Sequence, residues 1–212
     1  MKTKNPSKTA ILSALAMGLV SLQAAAAPTY CSDAAPLTSN ADGLQTSDLK
    51  FNGINANNCY GVVSGNESLA AINALNWDVD PDPADDWILL DKTDTVGGLT
   101  IQGLSFVLTS DTSKPDGNWL LTVTDTNMGA PQNLPVAMDL VFALKAADYY
   151  AAYLFDNMTV DGSDAGTYHI AFKNNGGQVA GFSHMSLYGR FDGDNGGGGG
   201  GGNIPEPASL LL

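Results

Sequence analysis

Tyr168-His-Ile-Ala-Phe-Lys173 sets apolar side chains at 168, 170 and 172 against polar ones at 169 and 173. Met138-Asp-Leu-Val-Phe-Ala-Leu-Lys145 repeats the pattern, with Met138, Leu140, Phe142 and Leu144 on one side and Asp139 and Lys145 on the other. A period of two is that of a β-strand with a core face and a face toward water or a second layer. The same reading extends outward to Leu99–Thr109, Trp119–Thr124, Tyr149–Phe155 and Phe182–Tyr188, and short apolar stretches recur throughout 49–189. Between them lie Lys114-Pro-Asp-Gly-Asn118, Asp161-Gly-Ser-Asp164 and Asn174-Asn-Gly-Gly177, whose composition favours hairpins and short crossovers. The pattern predicts an all-β fold, an antiparallel β-sandwich of jelly-roll-like character. One short helix is expected after Ser64-Gly-Asn-Glu67, which has capping-box spacing ahead of Leu69–Leu75 and gives Glu67 a capping role.

Composition agrees. Of the 22 acidic residues in this 212-residue chain, 20 are Asp and only Glu67 and Glu206 are Glu, which disfavours a mainly helical protein. The net charge of −13 repels phosphate backbones and anionic lipid, so no nucleic-acid partner is expected. A hydrophobic content of 44% excludes wholesale disorder.

Both ends read as addresses. Lys2, Lys4 and Lys8 precede an apolar stretch, Ala10–Leu22, and a small-residue exit with Ala24 and Ala26, which predicts a signal peptide over 1–26 cut after Ala26. Losing three lysines takes the net charge from −13 to −16. Export permits disulfides, and the only two cysteines, Cys31 and Cys59, are expected to pair. The domain proper is expected over 27–191. A Gly-rich linker follows over 192–203, with seven consecutive glycines from Gly196 to Gly202, and cannot form a core element.

The last segment, 204–212, contains Ile204-Pro205-Glu206-Pro207-Ala208-Ser209-Leu210 and resembles the signature of the PEP-CTERM sorting family, exported proteins of Gram-negative bacteria. The resemblance implies delivery to the cell surface or the extracellular matrix, with Pro205, Glu206 and Pro207 as the sorting signal read by an exosortase-type enzyme. In that family an apolar transmembrane stretch and a basic end follow the motif. Here only Leu210–Leu212 stand after it, so the expectation is a truncated signal, and a transient membrane anchor exists only if the rest is encoded downstream. Cys59-Tyr-Gly61 and Phe182-Ser-His-Met-Ser-Leu-Tyr-Gly189 look like patterns common in the extracellular domains of this group. For most members the resemblance implies no reaction.

Residues that could carry chemistry are few. Asn76–Trp87 holds five carboxylates, and Asp78, Asp80 and Asp82 share one side of a Pro-stiffened extended chain, an arrangement that could hold calcium. It lacks the glycine and glutamate of an EF-hand, and the plainer reading is a solvated acidic loop. His169 and His184 lie in expected strands, with no Gly-x-Ser-x-Gly or His-Glu-x-x-His motif beside them, so no catalytic residue is assigned and the chain is not expected to be an enzyme. The leading expectation is a surface or matrix protein. A calcium-dependent module for extracellular polysaccharide is the alternative, and a secreted hydrolase ranks below both.

Overall fold

The computed structural model describes residues 31, 44–75, 77, 86–95, 97–111, 114–127 and 133–191. The leader, the glycine run, Pro205, Glu206, Pro207 and the three candidate calcium ligands Asp78, Asp80 and Asp82 lie outside them.

Two antiparallel sheets face each other. One has the order β2-β1-β10-β7-β6-β5, with β1 at Leu49–Phe51, β2 at Ile54–Asn55, β5 at Thr100–Ile101, β6 at Leu104–Ser110, β7 at Asp116–Asp125 and β10 at Ser163–His169. The other has the order β3-β9-β8-β11-β4, with β3 at Asn58–Ser64, β4 at Ile88–Lys92, β8 at Val136–Ala146, β9 at Tyr149–Val160 and β11 at Phe182–Phe191. The expected all-β sandwich is what forms. Repeated passage between sheets is its jelly-roll-like trait, whereas the hairpins β6–β7 and β8–β9 each stay within one sheet.

The six-stranded sheet obeys strict alternation. In β7, Trp119, Leu121 and Val123 are buried while Asn118, Leu120, Thr122 and Thr124 are exposed. The five-stranded sheet is covered on both sides, so β8 is buried almost throughout. Its inner face joins the main core, where Phe51 and Trp119 from one sheet meet Phe142 and Phe155 from the other, with ring centroids 4.8–6.4 Å apart. Its outer face carries a second cluster in which Val141, Ala143, Tyr150, Ala152, Leu154 and Tyr188 pack with Ile72 and Trp87. Asp139 and Lys145, expected on a wet or second-layer side, belong to the second layer and are 3% and 5% exposed.

Three local expectations are corrected. Leu99–Thr109 is not one strand: Gln102 and Gly103 both have positive φ (51° and 79°), a primed-type turn that folds the run into the hairpin β5–β6. The strand expected at 168–173 ends at His169, although Ile170 and Phe172 keep their core positions, Ile170 donating its N–H to the Pro115 carbonyl at 2.7 Å. Ser163 and Asp164, read as turn residues, open β10, which runs between β1 and β7. Gly166 is what allows that close fit, because a Cβ there would lie 1.8 Å from the Lys50 carbonyl oxygen and 2.5 Å from the Trp119 ring.

The helix α1, Leu69–Asn73, forms as expected, but Ser64 and Glu67 do not cap it. Ser64 is still paired in β3, opposite Tyr149, and Gly65 (φ 99°) turns the chain away. Ser68 is the N-cap, its hydroxyl accepting the Ala71 N–H at 3.2 Å, and Glu67 is released to point elsewhere.

Cys31 and Cys59 are joined, as expected, closing a loop of 28 positions and stapling the start of the described chain to β3. In the chain-entropy account such a loop contributes about 3–4 kcal/mol. Replacing both cysteines by alanine should therefore lower the urea midpoint by the equivalent of about 3 kcal/mol. An unchanged midpoint would show that the bridge contributes nothing.

Candidate functional site

Glu67 is the centre of the densest polar cluster among the described residues. Its side chain is 2% exposed, and it reaches the outer face of the five-stranded sheet at the end where β8 turns into β9. His184 Nε2 lies 2.7 Å from Oε1, and the Ser186 hydroxyl donates to the same oxygen at 2.7 Å. The Lys92 ammonium stands 3.7 Å from Oε1 and 3.5 Å from Asp94, which in turn lies 3.4 Å from His184 Nδ1. Strand alternation explains the convergence: His184 and Ser186 are two apart on β11, and Lys92 pairs with Ser186 across β4.

Glu67 Oε2 is buried without a hydrogen-bond partner. Burial alone would raise the Glu67 pKa, but the hydrogen bonds from His184, Ser186 and its own backbone outweigh it and bring it down to about 2. Lys145 lies close by, donating to the Gly65 carbonyl at 2.6 Å; burial holds its ammonium below its ordinary pKa, opposed by the charges of Glu67 and Asp148. Beside it an open hollow of about 470 Å³ is lined by Gly65, Asn66, Lys145, Asp148, Tyr149 and Asn175, among others.

Serine, histidine and a carboxylate are the parts of a hydrolytic triad, but their arrangement here is different. A triad requires the imidazole to accept the serine proton. Ser186 and His184 both turn to the same Glu67 oxygen, and Ser186 is 1% exposed. The geometry clamps the 64–69 segment onto the sheet.

Two further polar groups stand apart. Asp139, at the opposite end of the same sheet face, takes both Nε and Nη2 of Arg190 on one oxygen (2.8 and 2.6 Å) and the Asn157 N–H on the other (2.7 Å), while Arg190 also lies 4.8 Å over the Trp87 ring. His169 is exposed, with Nδ1 2.5 Å from Asp116, and shares an open hollow with Asp48, Gln45 and Lys173. Asp48 is buried and is pushed up to about 6 by that burial, against the hydrogen bond from the Gln45 N–H and the charge of His169.

Both histidines named from the sequence therefore have carboxylate partners, and the structure keeps them in separate clusters. Asp48, Lys92, Asp94 and Ser186 went unnoticed in the sequence, where no motif marks them. The polar residue between apolar neighbours at Ser186 is the one legible hint. Among the described residues no three metal-ligating side chains converge. No protein-family model matches the chain, and no curated protein or solved structure does either.

The two buried acids should act oppositely on stability. Glu67, with a folded pKa near 2 against an ordinary 4.5, stabilises fully above pH 4.5 and loses that contribution as pH falls toward 2. Glu67→Gln should thus cost about 3 kcal/mol at pH 7 and flatten the stability profile between pH 4.5 and 2. Asp48, raised from 3.8 to about 6, destabilises progressively as pH rises through that window. Asp48→Asn should gain about 2 kcal/mol at pH 7 and little at pH 4. Urea unfolding of each variant at pH 2.5, 4, 5.5 and 7 reads both profiles, and parallel curves for variant and parent would contradict them.

Proposed function

We propose that this protein is an exported, non-catalytic domain of a Gram-negative cell surface or extracellular matrix, sorted by Pro205-Glu206-Pro207 through an exosortase-type enzyme. The observation that carries the reading is the Cys31–Cys59 disulfide, which suits an oxidising compartment and sits five residues beyond the expected cleavage point after Ala26. A second support is the placement of the Glu67 cluster relative to Phe191, where the described residues end. The described chain ends at Phe191, on the end of β11 that pairs with Met138. The Glu67 cluster lies at the other end, where His184 pairs with Lys145, seven strand positions or roughly 23 Å away. A tether at 192–203 would present that end outward.

The alternative function, calcium-dependent binding of extracellular polysaccharide through Asp78, Asp80 and Asp82, gains no specific support from the described residues.

Expression of the gene in a Gram-negative host that carries an exosortase tests the proposal. Expected are a mature N-terminus at Ala27, an intact disulfide, and protein at the surface or in the matrix. Changing Pro205 and Glu206 to alanine should leave the chain unprocessed and membrane-retained if the downstream anchor is encoded. A cytosolic product that keeps Met1 and free thiols would overturn the reading.

A further inference from the structure

The outer face of the six-stranded sheet is unlike the rest of this acidic molecule. On β6, β7 and β10 the outward positions include Val107, Thr109, Leu120, Thr122, Ala165 and Thr167, all exposed and none charged. They are neighbours across the strands: Thr109 pairs with Leu120, which pairs with Ala165, and Val107 pairs with Thr122. Leu120 and Val107 are 42% and 41% exposed, large aliphatic side chains in the centre of a sheet. Among the described residues of this face, charges stand at the margins, with Lys50 on β1 and the Asp116–His169 pair at one end.

We propose that this face is where a second copy of the chain docks, sheet face to sheet face. Charge selects the surface. Copies bearing −13, or −16 where the leader is removed, repel one another wherever acids oppose acids, and a face without ionised groups at its centre is where they can approach. The sheet edges are unsuited to pairing. β2 and β5, at the two edges of this sheet, are two residues each, and the edge strands β3 and β4 of the other sheet both carry register shifts in their pairing. Area sets the strength: three strands about 4.8 Å apart and roughly seven residues long offer on the order of 330 Å² per copy, about 660 Å² in total, at the low end of weak and transient interfaces. The contact is independent of how the chain is sorted.

Sedimentation equilibrium of the full mature chain from micromolar to millimolar concentration tests this. Expected is a monomer–dimer equilibrium that tightens as NaCl rises from 0.02 to 0.5 M, because salt screens the repulsion between copies while the contact itself carries no charge. Leu120→Asp should raise the dimer dissociation constant at least tenfold, and Val107→Asp should do the same. Leu69→Asp, at an exposed leucine on α1, should leave it unchanged, with circular dichroism confirming that each variant is folded. A chain that stays monomeric to 1 mM, dimers that weaken with salt, or dimers indifferent to Leu120→Asp would overturn the proposal. So would a monomer whose Leu120 and Thr122 amide resonances shift on adding a neutral glycan, which would give the face to carbohydrate instead.

Discussion

Phe51, Trp119, Phe142 and Phe155 form the contact on which the sandwich depends, since two rings come from each sheet and the strands that carry them lie deep within their sheets. Aromatic side chains of this size each bury about 150–250 Å² of surface, more than any aliphatic neighbour in the core. The fit is exacting on the six-stranded side. Gly166 occupies the position between Phe51 and Trp119 where any side chain would strike the Trp119 ring, so β1, β10 and β7 come together only because that residue has none. The disulfide then fixes Cys31 against the same core, with Cys59 fully buried.

The outward faces of the two sheets diverge. The five-stranded sheet is roofed by α1 and Trp87, so polar residues that alternate outward on β8 and β11 are buried and must find partners there. Glu67 satisfies His184 and Ser186 at one end, and Asp139 satisfies Arg190 at the other. Among the described residues nothing roofs β6, β7 and β10, whose outward residues are mostly threonines, serines and aliphatics, with Asp116, Asn118 and His169 at one end.

Long strands with period-two patterning are legible in the sequence: β7, β8, β9 and β11 lie where the apolar spacing places them, because a half-buried or fully buried strand of ten or more residues leaves a pattern that outweighs local noise. β1, β2 and β4 are two to five residues long, too short for a period to show. The opening of β10 reads as a turn because Ser163, Asp164 and Gly166 favour turns, and only the neighbouring strands convert it. Glu67 was misread for a related reason. Two serines four residues apart both satisfy the N-cap preference, and the choice between them is made by β3 continuing to Ser64. Once Ser68 caps the helix, the glutamate is free to enter a cluster whose other members come from β4, the turn after it and β11, about 25 to 120 positions away. Spacing along the chain cannot register such a meeting.

The position of β11 has a mechanical corollary. This strand carries the chain toward the glycine run and is hydrogen-bonded on both sides, to β8 from Phe182 to Phe191 and to β4 from Ser186 to Gly189. A pull on Phe191 along the strand axis therefore loads both ladders at once in shear, where the bonds share the force and must break together. Peeling from an edge would break them one at a time. A load applied through this strand therefore meets more resistance than one applied through an edge strand such as β3 or β4.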